Sequence, residues 1–527
     1  RALTGTERAL HQRTLLDAAT SSAMLNTQPQ QFRATSEELL LTLLSLALRR
    51  MNSSALQRVT LVSHDRAELH DHQDLARTVG WLTAEFPLLV ALPDAAALND
   101  SVRAVKSALR AVPDRGIGYG QLRWLDAHRG ITLAKLAADH APQVLFNYLG
   151  RFSQSTGHWQ PQRTAQQFRD TFAVIQDDAM PLQHALELNV FVDDQQLALN
   201  WSWAEGVLHA DQIQQLHQAI ALGAQQLCQF AEQQPQHATN TLVAAEINLE
   251  GVDDAVLQQL RARHGAFSHV LPLLPLQKGL LFHAQTTGAQ GSYNSLTRLT
   301  LSGDVSLASV QQALNQVLQR HPQLAARFDS ELSLQPLQLL PEGDLHWPLQ
   351  ILEVEDIEAA EHQALSQDLF QQPVMLQATL FPHRHEARWT LLLNAHHLVV
   401  DGWSTPVILN DLLSALRQQP LPAQRTHYAD IVRQLSQRDV HQARQQWQEC
   451  LRDVRPTLLY PNAVDSAVRE KRITLDATLE RELYALCRAR GLTLNTVMQG
   501  LWGMMLSIAS GQQDVVIVAT ASGRHGQ

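Results

Sequence analysis

The chain is poor in cysteine: Cys228, Cys450 and Cys487 are the only three in 527 residues, too few and too scattered for a disulfide framework or a zinc site. A reducing, cytoplasmic setting is the expectation. Charge is sparse as well, at 17%, and Asp plus Glu (51) outnumber Lys plus Arg (41) for a net charge of −10, which argues against a nucleic-acid surface. No apolar run is long enough to cross a bilayer. No GxxxxGK[ST] phosphate loop is present, so the chain is not expected to bind a nucleotide that way. What is there, 45% apolar residues over a length exceeding one ordinary domain, describes a soluble multidomain globular protein. It opens on Arg1 with neither an initiating Met nor a signal peptide, and a piece of a longer chain is expected.

The richest segment runs from Asn394 to Ser404 and sets His396, His397, Asp401 and Gly402 at HHxxxDG spacing. The apolar run Trp389 to Leu393 leads into it, which predicts a buried strand delivering an imidazole to a turn. Histidine titrates closest to neutrality, so a His at a rigid strand end can donate, accept or relay a proton at cellular pH. Asp401 can anchor the turn. Gly402 removes a β-carbon where backbone or substrate must come close. A lone His beside an apolar strand is ordinarily a satisfied core or surface residue, and the chain has 24. Four specified residues in one register rarely coincide by chance, and the flanking sequence supplies the context that a motif needs.

With its neighbours, this segment makes residues 268–527 resemble the condensation domain of nonribosomal peptide synthetases. Leu271 to His283 (LPLLPLQKGLLFH) looks like the family's opening motif, and Arg320 to Phe328 (RHPQLAARF) is similar to its RHxxLRxxF helix end, with Ala325 replacing the second arginine. Tyr428-Ala429-Asp430 matches the tyrosine segment in outline, and Val515 to Arg524 resembles the strand ending in Ser-Gly-Arg. Trp403 and Ser404 extend the central motif to HHxxxDGWS. That variant is associated with condensation after an epimerization domain, a D-configured donor and an L-configured acceptor.

The first half resembles the second lobe of such an epimerization domain. Thr78 to Pro87 (TVGWLTAEFP), Gly116 to Gly120 (GIGYG) and Phe146 to Phe152 (FNYLGRF) look like its TVGWFTxxYP, GxGYG and FNYLGQF segments. The EGHGRE segment, whose first glutamate the family uses as an acid/base, reads here Val62-Ser63-His64-Asp65-Arg66-Ala67. Valine cannot accept a proton. Either Glu68 or Asp65 compensates or this unit does not epimerize, and the residues favour the second.

An internal repeat is visible without family knowledge. An offset of 458 residues places Thr35 on Thr493, Leu39 on Val497, Leu43 on Leu501, Val59 on Ile517 and Arg66 on Arg524, in one order of apolar helix, polar turn and β-branched strand. The expected organisation is an epimerization-type C-terminal lobe over 1–233, a linker over 234–268 with one short helix near 253–263, a condensation-type N-terminal lobe over 269–440, and the start of its second lobe over 441–527. Periodicity predicts helices over 37–51, 101–112, 132–139, 211–233, 307–319, 406–418, 441–451, 479–490 and 494–509, and strands over 59–62, 188–192, 197–203 and 390–398. The resemblance implies an α+β, chloramphenicol-acetyltransferase-like two-lobed fold of mixed sheet with helices, present as two incomplete copies. Each site would then lie between two lobes of which the chain holds one, and neither activity is expected of this piece alone.

The resemblance also implies the chemistry: amide formation between two thioester-bound chains presented on phosphopantetheine arms. Those arms belong to upstream and downstream carrier domains, with adenylation domains in the same or a neighbouring synthetase. The chain itself binds no cofactor covalently and no metal, and its partners include neither nucleic acid nor membrane. His397 faces the reactants, either as base or as positioner of the acceptor amine, and His396 packs or bonds to backbone. Asp401 pairs with an arginine, for which Arg320 and Arg524 are the candidates, and Trp403, Ser404 and Arg524 support the site. Asn147, Tyr148 and His64 are the epimerization-type remnant. Two other readings are an HHxxxDG acyltransferase using acyl-coenzyme A, which the epimerization-type motifs count against, and a non-catalytic docking module, which intact His397 and Asp401 count against.

Overall fold

The computed structural model describes residues 3–63, 78–93, 98–151, 180–193, 195–233, 242–286, 293–303, 305–353, 356–383, 388–423, 426–459 and 471–521. The described chain divides into two compact units, Arg1–Arg433 and Gln434–Gln527.

The first half of the larger unit is one mixed sheet. Its strands are β1 (Ala9–Leu15), β2 (Leu56–Ser63), β3 (Ala84–Ala91), β4 (Val144–Arg151), β5 (Leu186–Asp193) and β6 (Gln196–Ala204), in the order β1-β6-β5-β4-β2-β3. β2, β4 and β5 run parallel and the other pairs antiparallel. Helices cover one face, among them Ser36–Asn52 and Ala210–Gln233. The helix Ser36–Asn52 starts at a reciprocal cap in which Thr35 Oγ1 accepts from the Glu38 N–H (3.1 Å) while the Glu38 carboxylate accepts from the Thr35 N–H (2.7 Å). Its leucines bury against the sheet and against the helix Ala210–Gln233. The two helices meet so closely that a β-carbon at Gly223 would lie 2.8 Å from Leu43 Cδ2. Glycine is likewise required at Gly116, where φ is +89° and a β-carbon would overlap the Phe86 ring, which ties the start of the helix Ile117–Trp124, where GIGYG lies, to β3.

The segment expected as a linker is described from Leu242 onward and is packed there. Residues Leu242 onward hold a short helix, Ala244–Ile247, the helix Asp254–His264 and strand β7 (Phe267–Pro272). Leu242, Leu257, Leu260 and Phe267 share a core with Leu337 and Leu339 of the following half. Polar contacts join it to the preceding half: Glu246 accepts from Lys106 Nζ (3.5 Å), from Arg110 Nη1 and from the Val243 N–H (2.8 Å), and Asp254 accepts from Ser107 Oγ (2.6 Å). Arg33 Nη1 donates to the Ser268 carbonyl (2.7 Å). Glutamine richness made 234–268 read as solvated; its sparse apolar residues are the ones buried.

The rest of the larger unit contains β8 (Asn294–Ser302), β9 (Arg327–Asp329), β10 (Leu337–Pro341), β11 (Leu349–Ile351), β12 (Leu376–Pro382) and β13 (Arg388–His396), arranged as a three-stranded sheet β7-β10-β9 and a four-stranded sheet β11-β12-β13-β8. β13 is central and buried on both faces: Leu391 and Leu393 pack with Val310, Leu314 and Val317 of the helix Leu307–Arg320, and Leu392 with Ala360 and Phe381. That two-sided burial is why its sequence is a continuous apolar run rather than an alternating one.

The smaller unit holds the helices Val440–Cys450, Ala477–Arg490 and Leu494–Ser510. The repeat survives in detail, since Thr493 Oγ1 accepts from the Thr496 N–H at 3.1 Å as Thr35 does in the first copy. The strand expected over 515–524 is corrected: residues 515–521 are unpaired coil, with Val516 N–H donating to Thr457 Oγ1 (2.9 Å). A strand needs a neighbour to pair with, and among the described residues of this unit there is none, whereas its counterpart β2 lies between β3 and β4. The architecture is α+β, with the same helix unit present twice.

Lys106 yields a pH test of the junction. Burial brings its ammonium from 10.5 down to about 8, against the pull of Glu246. Between those values the folded chain binds fewer protons than the unfolded chain, so stability rises with pH from about 8 to 10.5. The urea midpoint of the wild type is expected to climb across that window relative to Lys106→Met; parallel curves for the two proteins would contradict it.

Candidate active site

β13 ends at His396, and the next residue, His397, opens the loop to the helix Ser404–Leu416. The two imidazoles have different fates. His396 is 2% exposed, its ring packed between Tyr293 (centroids 6.4 Å apart) and Phe370 (6.1 Å), and its Nδ1 accepts the Leu398 N–H at 3.1 Å. It is a loop-forming residue. The His397 ring is half-buried, and its Nδ1 lies 3.2 Å from the Val400 carbonyl oxygen. A carbonyl only accepts, so Nδ1 carries a proton, and in the neutral ring the lone pair is on Nε2. The main-chain N–H of His397 donates to the Tyr293 carbonyl (2.9 Å), and Tyr293 itself sits at φ +64°, a conformation uncommon outside glycine.

Asp401 bonds to the first residue of the next helix. Its Oδ1 accepts the Ser404 N–H (2.8 Å) and the Ser404 hydroxyl (2.6 Å), placing a carboxylate at the positive end of the helix Ser404–Leu416. Ser404 is thereby a capping partner, and Trp403 is 45% exposed beside it. A β-carbon at Gly402 would meet no described protein atom within 4 Å, so close backbone approach is not what asks for glycine there.

The arginine expected to pair with Asp401 needs correction on one of its two candidates. Arg320 Nε lies 3.2 Å from Asp411 Oδ2, and its Nη2 donates to the Pro422 carbonyl. His321 Nε2 shares the same Asp411 oxygen at 2.8 Å. The Arg-His pair therefore anchors the helix Ser404–Leu416 seven residues beyond its first residue, at a carboxylate that is 4% exposed. Arg524, the other candidate, and His64 lie outside the described residues.

Sequence reasoning missed the layer beneath the loop. Gln277, on the helix Pro275–Thr286, donates through Nε2 to the Leu398 carbonyl (2.9 Å), and Tyr428 Oη donates to Gln338 Oε1 (3.1 Å). Burial is the main reason that the Tyr428 phenol is raised above its ordinary value, with the charge of Asp401 adding to it. Gln277 and Tyr428 belong to recognised motifs, but nothing in the sequence marks Gln338, a buried glutamine on β10.

In the first half, one row of ladder partners crosses all six strands: Glu85, Val62, Asn147, Asn189, Asn200 and Arg13. Paired residues share a face, and this face is opposite to the one that the helices cover. Val62 is the single apolar side chain in the row. Asn147 Nδ2 donates to Asn189 Oδ1 at 2.8 Å. Tyr148, one residue on, packs instead toward the helix-covered core, so strand alternation puts the two remnant residues on opposite faces.

Among the described residues, no group of three or more His, Cys, Asp or Glu could hold a metal ion, and no helix is long and apolar enough to cross a membrane.

The His397 ring thus sits half-buried just past the end of a central strand, with Nδ1 tied to the Val400 carbonyl and no partner for Nε2 among the described residues. The comparisons place the chain in a family. The condensation-domain family model matches residues 6–245 and, again, 267–527, so this chain belongs to the condensation-domain family and holds two copies of its pattern. Vanchrobactin synthetase VabF of Vibrio anguillarum is 37% identical over 535 residues, covering 98% of this chain and 19% of the relative. Bacitracin synthase 3 of Bacillus licheniformis is 25% identical over 533 residues, covering 96% of this chain and 8% of the relative. The chain thus spans a fifth or less of the length of these relatives. Among solved structures, the first condensation domain of the calcium-dependent antibiotic synthetase aligns at 18% identity and TM-score 0.41, over 49% of this chain and 66% of that one. The epimerization domain from the third module of tyrocidine synthetase B aligns at 21% and 0.38, over 44% and 52%.

Asp401→Ala is expected to cost about 0.5–2 kcal/mol of stability through the lost cap, and Asp401→Asn, which still accepts, only a fraction of that. Urea unfolding measures both; an Asp401→Ala protein as stable as wild type would remove the capping role.

Proposed function

We propose that residues 267–527 form part of a condensation domain in a nonribosomal peptide synthetase, joining a carrier-bound aminoacyl or peptidyl thioester to the amine of a carrier-bound L-aminoacyl acceptor. The observation that carries this is the His397 ring, whose Nδ1–H is spent on the Val400 carbonyl and whose Nε2 is left to accept. The acceptor nitrogen attacks the thioester carbonyl and a C–N bond forms. His397 Nε2 takes the proton that the nitrogen sheds. The tetrahedral intermediate then collapses with cleavage of the C–S bond, and the thiolate leaves, its proton returning from the imidazolium. Amides are more stable than thioesters, so the domain's work is to position two arms and to move this proton. The exposed Gly402 leaves room beside the loop for the substrate arm.

The carriers, each with its phosphopantetheine arm, and the adenylation domains that load them are partners in this reading. Trp403 and Ser404 support a D-configured donor. The upstream unit weighs against supplying one itself: Val62 is 7% exposed and hydrocarbon, in a row that is otherwise polar, and Asn147 is bonded to Asn189. We infer that residues 6–245 retain the epimerization-type scaffold without exchanging the α-proton.

The test uses the full-length parent with donor- and acceptor-loaded carriers, the donor in L and D forms, in deuterium oxide. His397→Ala is expected to lower dipeptide formation by about 10²- to 10⁴-fold, the range for a positioned acid–base group. Product from the L-donor is expected to carry no α-deuterium. Undiminished product would remove His397 from the chemistry, and α-deuterium would overturn the inference from Val62.

A further inference from the structure

We infer that Gln277 and Tyr428 are positioning residues that set the His397 imidazole by gripping the peptide that follows it, an inference that rests on the reading of His397 given above. Leu398 is held from both sides. Its N–H donates to His396 Nδ1 (3.1 Å), and its carbonyl accepts from Gln277 Nε2 (2.9 Å). Its side chain, 1% exposed, is locked among Leu273, Leu281 and Met375. The loop between His397 and Val400 therefore has little freedom, and the ring bond from His397 Nδ1 to the Val400 carbonyl depends on that loop keeping its shape.

The grip is itself fixed by a closed set of polar contacts. Gln277 Oε1 accepts the Leu274 N–H (3.0 Å), which ties this side chain to the start of its own helix. Gln277 Nε2 is also 3.4 Å from Tyr428 Oη, which donates to Gln338 Oε1 (3.1 Å). Gln338 Nε2 donates to the Pro272 carbonyl (2.8 Å) and stands 3.4 Å from Gln277 Oε1. Each amide thus has its oxygen and nitrogen orientation dictated by a main-chain group, so neither can flip without losing a bond. Gln338 is fully buried, where an unpaired amide would be costly. The result is that three segments far apart in sequence, the helix Pro275–Thr286, β10 and the helix starting at Tyr428, are linked through Gln277 to the Leu398 carbonyl, one residue past His397. A network of this kind acts as a unit, and its members act on the reaction only through the imidazole that they orient.

The test is a double-mutant cycle with two readouts. In the full-length parent, Gln277→Leu is expected to lower kcat about a hundredfold, the scale of a small misplacement of an acting group, with KM for both loaded carriers unchanged. Tyr428→Phe, which keeps the ring and its packing, is expected to lower kcat less. The double variant is expected to be no worse than Gln277→Leu alone, because both substitutions loosen the same carbonyl. Separately, ¹⁵N spectra of the His397 ring in this chain, assigned by difference from His397→Ala, are expected to show one Nδ1–H tautomer in wild type. An averaged pattern is expected in Gln277→Leu, and a partial shift in Tyr428→Phe. Multiplicative losses in kcat, a change confined to KM, or a His397 tautomer pattern unchanged in both variants would each overturn the inference. If Gln277→Leu fails to fold, the Tyr428→Phe spectrum decides alone. The spectra do not depend on activity, so they judge the grip even if His397→Ala leaves product formation intact and the functional reading falls.

Discussion

The bond between His397 Nδ1 and the Val400 carbonyl, 3.2 Å long, is the interaction on which the rest turns. An imidazole free to rotate would present either nitrogen and either tautomer. Tying Nδ1 to a carbonyl three residues ahead fixes both at once. The surrounding structure serves to keep that short loop in one shape. β13 is held on both edges by ladder bonds and on both faces by apolar packing, the loop's far end is stitched to a helix by Asp401 and Ser404, and that helix is pinned further along by Asp411 against Arg320 and His321. Each is an ordinary device of helix and strand construction, used here on both sides of one ring.

The two halves of the larger unit are joined by more than chain continuity. Lys106, Arg110 and Ser107 reach from the first half to Glu246 and Asp254, while Phe267 and Leu260 enter a core with β10 of the second. Buried ion pairs contribute little net stability but are costly to break on one side only. Their value here is in fixing geometry between neighbours, which a glutamine-rich tether would leave undefined. A fixed pair of lobes leaves the travelling between sites to the proposed carrier arms.

The features legible in the sequence are those set by local periodicity. The leucine-rich helix Ser36–Asn52, the apolar strand into His396 and the helix after Ser404 each follow from residues within a few turns of one another. The HHxxxDG spacing singled out the loop, in which the structure buries His396 and leaves His397 half-buried. What escaped was set by distance along the chain. That Arg320 answers Asp411 rather than Asp401 depends on two helices packing side by side, and that Tyr148 and Asn147 face opposite ways depends on the strand they share. The polar row from Glu85 to Arg13 is invisible until six strands are put in register. Residues 515–521 show the converse: a β-branched run reads as a strand anywhere, and becomes one only beside a partner.

The most direct measurement is a structure of the complete condensation unit with an acceptor held as a stable aminoacyl-pantetheine amide. The acceptor nitrogen is expected within about 2.6–3.2 Å of His397 Nε2, the reach of a hydrogen bond, with Nδ1 still on the Val400 carbonyl. An acceptor nitrogen bound away from Nε2, or a His397 ring turned so that Nδ1 meets the substrate, would contradict the central claim.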